Sequence, residues 1–245
     1  MISIVIITKN EAHAIADCLQ SVAWADEIIV VDSGSSDDTI KICKQFGAKI
    51  FITDNWPGFG EQKNRALALA TKSWVLSLDA DERVTPELQK EILQVIKGNA
   101  KASYRMPRSS SYCGQFIRHS GWSPDYVTRL FRRDHAKFSN DLVHERLISE
   151  EATLTLISPL LHISYINLEE VLDKVNRYST AGATMSFSRG KTATLGTAIR
   201  HGVWAFIRTY FIRLGFLDGK MGFILAVSNA ETTYYRYLKL ALLKQ

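Results

Sequence analysis

The stretch Val75-Leu76-Ser77-Leu78-Asp79-Ala80-Asp81-Glu82-Arg83 decides the fold. An apolar run that stops at clustered acids reads as a buried strand whose carboxyl end delivers carboxylates to a crevice, where open α/β sheets bind their ligands. Carboxylate oxygens suit a hard cation, and Mg²⁺ is commonly held by one or two carboxylates together with substrate phosphates. Taken alone, the pattern equally describes a strand followed by an acidic turn. Its neighbours must decide.

Upstream, Ile2 to Thr8 is a run rich in β-branched residues, followed by Asn10 as candidate N-cap of a helix through Glu11, Ile15, Cys18 and Leu19. A second strand, Glu27 to Val31, stops at Asp32, and Ser33-Gly34-Ser35-Ser36-Asp37 leads into a helical pattern closed by Gly47. Ala48 to Ile52 reads as a third strand, Glu61 to Ala70 as a helix, and Trp74 to Leu78 as the fourth strand. Thr85-Pro86-Glu87 opens a helix to about Lys97. Strands and helices alternating at this spacing predict an α/β fold with a mainly parallel, Rossmann-like sheet flanked by helices.

Downstream, Tyr126 to Arg133 and Thr153 to Ile157 read as strands, and Ser109 to Pro124 as a loop bordering a pocket. Asn167 with Glu170 resembles a capping box before another helix. The boundary falls there: a catalytic domain over 1–165 and a helical, membrane-associating extension over 166–245.

Composition narrows the classes. Cys18, Cys43 and Cys113 include no CxxC pair, which argues against a disulfide framework or cysteine zinc site and for a reduced, cytosolic setting. The apolar start lacks a basic leader and reads as the first strand. The net charge of +5 is concentrated late: from Ser186 onward nine Lys/Arg face two acids, whereas residues 1–185 hold 21 Lys/Arg against 23 Asp/Glu. Trp204, Phe206, Tyr210 and Phe211 interleave with Arg208 and Arg213 there, and the run is too short and too charged to span a bilayer. An anionic membrane surface, with no nucleic acid, is the expected partner of this tail; helices packed on the catalytic domain with a solvated basic rim are the plainer alternative.

Neither GxGxxG nor GxxxxGK[ST] occurs, so a nucleotide would be held without a glycine cradle. Asp32 to Asp37, a strand end followed by a Ser/Gly turn and a helix start, supplies donors and a carboxylate for a polar ligand. Together Ile4-Val5-Ile6-Ile7-Thr8-Lys9-Asn10-Glu11, Asp32-Ser33-Gly34-Ser35-Ser36-Asp37 and Asp79-Ala80-Asp81-Glu82 resemble the nucleotide-binding signatures of family 2 inverting glycosyltransferases of the GT-A fold. Gly58-Phe59-Gly60-Glu61-Gln62-Lys63-Asn64, Val143-His144-Glu145 and Phe216-Leu217-Asp218-Gly219-Lys220 with Gly222-Phe223 resemble the branch that adds β-1,4-glucose to an inner-core heptose of bacterial lipopolysaccharide.

The resemblance implies roles. Thr8, Glu11, Asp32 and Asp79 would line the site of a UDP-sugar, with Lys63 and Arg83 assisting electrostatically, although Lys63 by itself reads more simply as a surface salt bridge. Asp81 would ligate Mg²⁺ or Mn²⁺, with His162 as a nitrogen ligand or an ordinary core histidine. Glu145 would be the general base, with Asp141 its local rival. Trp122, Asp125, Arg129 and Arg132 would contact the acceptor, the arginines through phosphate. The implied setting is cytoplasmic, peripheral on the inner face of the bacterial inner membrane. A polyprenyl phosphate or other glycan is the alternative acceptor. A nucleotidyltransferase is disfavoured by the missing glycine-rich loop, and a noncatalytic binding module by the intact set of carboxylates.

Overall fold

The computed structural model describes residues 1–98, 100–139 and 145–243. Its first half alternates as expected: β1 (Ile2–Thr8), α1 (Ile15–Ser21), β2 (Glu27–Asp32), α2 (Thr39–Gln45), β3 (Lys49–Ile52), α3 (Phe59–Leu69), β4 (Trp74–Asp79), β5 (Glu82–Val84) and α4 (Pro86–Lys97). Then come β6 (Ala102–Tyr112), β7 (Gln115–Phe116), β8 (Tyr126–Arg132), β9 (Ala136–Phe138), β10 (Leu147–Ser149), β11 (Ala152–Thr155) and β12 (Leu160–Tyr165). The helices α5 (Leu168–Ser188), α6 (Leu195–Ile207) and α7 (Gly219–Leu242) follow.

Strands β3, β2, β1 and β4 lie side by side and parallel. Every residue of β1 is buried because both faces of this block are covered. Ile2, Ile4 and Ile6 pack with Leu19 and Leu88 on one side, and Val5 and Ile7 with Ala66 and Phe131 on the other. This is the period of two of a strand sandwiched between helix layers. Beyond β4 the order continues β8, β6, β12, β5, with β8 antiparallel to both β4 and β6 and β12 antiparallel to β5. The helix starts follow local chemistry: Thr85 accepts from Leu88 N ahead of Pro86, and Asn167 accepts from Glu170 N.

Three expectations change. Helix α1 begins at Ile15, not beside Asn10, which instead takes a left-handed conformation at φ 57°. The Ser109–Pro124 segment is not simply a loop. It contains the end of β6 and a two-residue turn at Cys113 and Gly114, both at positive φ (48° and 84°), that returns the chain as β7. Such a turn matches the twist of the paired strands. The chain also divides differently from a single cut near residue 165: one compact unit is Met1–Arg108 with Asp125–His162, the other Ser109–Pro124 with Ile163–Gln245. Within the second unit, buried Asp218 accepts from Arg118 N (3.0 Å), His119 N (3.1 Å) and Ser120 Oγ (2.9 Å), so the 109–124 segment is hydrogen-bonded to the chain just before α7. That bonding accounts for Asp218 in the Phe216–Lys220 motif.

At the amino-terminal end of the parallel block, buried Glu27 accepts from Ser3 Oγ (2.5 Å), Lys49 Nζ (2.7 Å) and Thr71 N (2.9 Å), tying three strands to the turn before β4. Burial pushes its carboxyl up, but these donors outweigh burial and bring it from 4.5 down to about 2. A folded pKa below the unfolded one stabilises the protein above the unfolded pKa and is lost as pH falls through the folded one. Glu27→Gln is therefore expected to cost about 2–3 kcal/mol in urea unfolding at neutral pH. The gap to the parent should close between about pH 5 and pH 2.

Candidate functional site

The parallel register sets the crevice. Thr8 pairs with Asp32 and Ile7 with Asp79, so β1, β2 and β4 all end at one edge. There the two loops that follow β1 and β2 are stitched together. Asn10 N donates to Ser35 Oγ (2.8 Å), Ser36 N to Asn10 Oδ1 (2.8 Å), Ala12 N to Asp37 Oδ2 (3.0 Å) and Glu11 N to Thr39 Oγ1 (2.8 Å). Asp32, expected to accept from a base or ribose, is fully buried and accepts from Thr8 Oγ1 (2.9 Å), Gly34 N (3.0 Å), and Ser35 N and Oγ (2.8 and 2.5 Å). Its carboxylate shapes the turn, and a ligand contact would have to displace one of these donors. Asn10 and Asp37 were not among the expected site residues; the signal was their place in the two motifs, not any property of either alone.

Beside this rim runs a chain of alternating charges. Lys63 Nζ lies 2.7 Å from Glu145 Oε1 and 2.9 Å from Asp79 Oδ1. Asp79 Oδ2 accepts a short hydrogen bond from Arg129 Nη2, which also donates to Glu82 Oε1 at 2.7 Å. Glu82 Oε2 accepts from Asp79 N (3.0 Å), and Arg108 lies 3.8 Å from Glu82 while donating to Asp125 Oδ2 at 2.7–2.8 Å. Burial pushes the Asp79 carboxyl up, but Arg129 and Lys63 outweigh it and hold the group well below the ordinary carboxylate range. Glu82 is displaced the other way, because full burial prevails over Arg129 and neighbouring Asp79 adds to it. For Arg129, burial works against the charged form and the two carboxylates more than offset it, so its pKa is raised.

The structure places the other expected residues as follows. Lys63 is no surface residue: it is 2% exposed and neutralises two acids. Asp79 has both oxygens engaged by cations rather than turned to a ribose. Arg129 is buried, and its Nη2 is shared between Asp79 and Glu82. Arg132 falls opposite Trp74 in the antiparallel register and sits 4.7 Å over its ring. That is five residues back along β4 from Asp79, about 17 Å at a strand's rise of roughly 3.3 Å per residue. Asp125 is paired with Arg108, and Trp122, in the second unit, packs against Tyr112 and Tyr165 with ring centroids at 5.8 and 6.0 Å. Arg108 was missed because its partners are remote in sequence and no local pattern marks it. Arg83 is spent on backbone oxygens of Ala14, Ala80 and Glu82, bracing the acidic turn against the chain before α1.

Two predicted metal ligands do come together. The β5–β12 register sets His162 opposite Glu82, and His162 Nε2 lies 3.2 Å from Asp81 Oδ2. Adjacent ligands of an octahedral ion at about 2.1 Å stand about 3 Å apart, so this oxygen and nitrogen fit one coordination sphere. Among the described residues no group of three or more His, Cys, Asp or Glu that could hold a metal ion is found.

Glu145 reaches Lys63 because α3 lets the chain approach. A Cβ on Gly60 would stand 1.8 Å from Ser139 O and 3.4 Å from Glu145 Cβ, so only glycine permits this contact. Asn64 completes the join by donating to Phe138 O (2.9 Å) and accepting from Phe138 N (2.8 Å). The motif Gly58 to Asn64 thus seats the segment carrying Glu145. Asp141 and His144 lie outside the described residues.

Comparison with known proteins agrees with this architecture. The family model described as Glycosyl transferase family 2 matches residues 3–155. An uncharacterized glycosyltransferase of Rickettsia felis is 33% identical over 262 residues, covering 100% of this chain and 89% of that protein. The lipopolysaccharide core biosynthesis glycosyltransferase LpsC of Rhizobium meliloti is 28% identical over 255 residues, covering 96% and 93%. The crystal structure of S. aureus TarS superposes with a TM-score of 0.51 at 18% identity, over 66% of this chain and 36% of that one, a likeness of fold.

If Arg129 is the keystone of these acids, Arg129→Leu leaves buried Glu82 without its 2.7 Å partner and Asp79 with Lys63 alone, and costs about 3–5 kcal/mol in chemical denaturation. Arg132→Leu, losing only a stacked guanidinium, costs under about 1 kcal/mol.

Proposed function

The chain belongs to glycosyl transferase family 2, and from that premise we propose that it transfers glucose from a UDP-sugar, with inversion, to a heptose of the lipopolysaccharide inner core. The observation that carries the chemistry is the pairing of two carboxylate stations through one lysine: Glu145 on one side of Lys63 and Asp79 on the other, with Asp81 and His162 beyond. The acceptor is supported by the full-length likeness to LpsC, whose name specifies lipopolysaccharide core biosynthesis. An amphiphilic acceptor also suits a peripheral position on the inner face of the inner membrane.

In this reading the loops after β1 and β2 form the nucleotide rim, and Asp81 with His162 holds Mg²⁺ or Mn²⁺. A divalent ion held there would supply Lewis-acid stabilisation of negative charge on a diphosphate leaving group. Glu145 accepts the proton of the acceptor hydroxyl as that oxygen bonds the anomeric carbon. The bond from this carbon to the diphosphate breaks, and its electron pair leaves with UDP. Lys63 fixes Glu145 in place and neutralises Asp79. With Asp79 occupied by cations, Asp81 is the acid left for the metal.

Three measurements test this. Glu145→Gln should lose about a hundred- to ten-thousand-fold in transfer while UDP-glucose binding persists by calorimetry; near-normal turnover would move the base elsewhere. UDP release should require a divalent ion and vanish in Asp81→Ala, and indifference to EDTA would remove the metal. Mass spectrometry of core oligosaccharide from cells lacking the protein should show one hexose missing from the heptose region; an unaltered core would redirect the acceptor, a polyprenyl phosphate being next in line.

A further inference from the structure

The second unit carries a surface that the transfer chemistry does not use. On α6, Leu195, Ile199 and Val203 recur every four residues, with Trp204 beside Val203 and Phe211 in the π-helical turn just beyond the helix; each is at least half exposed. Single exposed apolar residues are ordinary, whereas a contiguous stripe marks a partner surface. Between α6 and α7 lies a groove of about 390 Å³ walled by Ile199, Val203 and Phe206 on one side and Val227, Ala230 and Tyr234 on the other, with Glu231 the one acid in its lining. Gly202 of α6 lies against Tyr234 of α7, a Cβ there standing 3.0 Å from the tyrosine's own.

Charge selects the occupant. From Ser186 to Lys220 there are six Lys/Arg, and the single acid, Asp218, is buried in its own hydrogen bonds. Arg200, Arg208 and Lys220 are exposed. A second copy docked by a two-fold axis would set this basic segment against itself, like charge on like. A surface of phosphates over hydrocarbon complements both features at once. No helix among the described residues is long and apolar enough to cross a membrane.

We propose that the α6–α7 groove seats one hydrocarbon chain of an anionic membrane lipid, while Arg200 and Arg208 meet lipid phosphates. This rests on the membrane-surface reading above and adds a specific chain site to it. The test uses the full chain with two probes. The first is cis-parinaric acid, a fatty acid that brightens in apolar surroundings. The second is flotation with phosphatidylcholine vesicles with or without phosphatidylglycerol. The parent should bind the fatty acid saturably and float with the anionic vesicles. Ala230→Trp, which fills the groove, and the milder Ala230→Leu should weaken fatty-acid binding, the former at least roughly tenfold, with helicity by circular dichroism retained. Unchanged binding in both folded variants overturns the groove. Flotation without fatty-acid uptake also overturns it but leaves the membrane reading standing, and no flotation at all removes both. A concentration-dependent dimer that Ala230→Trp dissociates, with no fatty-acid uptake, gives the groove to a second copy and overturns the proposal.

Discussion

The site depends on Arg129 between Asp79 and Glu82. Enclosing one fully buried and one partly buried carboxylate at the end of a strand costs up to several kcal/mol per charge unless cations are enclosed with them. Arg129 supplies one cation to both acids, and Lys63 supplies a second to Asp79. The acidic turn between β4 and β5 keeps its shape because these charges are matched.

That matching also assigns the labour. Of Asp79, Asp81 and Glu82, two are committed to cations of the protein itself, whereas Asp81 lies 3.2 Å from His162. A histidine at 3.2 Å is a compatible co-ligand for a metal, whereas an arginine at that distance would compete with one. Lys63 extends the same logic across the crevice, since the cation that quiets Asp79 also grips Glu145. A disturbance at the strand end is therefore transmitted to the proposed base through one side chain.

The second unit is organised by a comparable device. Asp218 collects backbone and side-chain donors from 118–120 just before α7 starts, so a segment distant in sequence is fastened to the helices. The helices then bury small residues against one another, Gly202 and Ala226 among them, and leave larger apolar side chains outward. A globular domain does not need that arrangement for its own core, and the proposed lipid chain would cover it.

The sequence by itself determined the parallel α/β core, because continuous apolar runs alternating with amphipathic ones admit few other solutions. It also determined which three motifs belong to the crevice, and that Asp81 and His162 are candidate co-ligands. It did not determine what Asp32, Asp79, Lys63, Arg129 and Arg132 touch. Each of those roles turns on register and pairing: β8 runs antiparallel to β4 in a register that buries Arg129 among the acids and carries Arg132 to the far end of the strand. Gly60 permits a backbone approach at 1.8 Å from a would-be Cβ, and that approach brings Glu145 to Lys63 across 82 residues of chain. Charges find partners through space, and their partners are fixed only when the strands have chosen their neighbours.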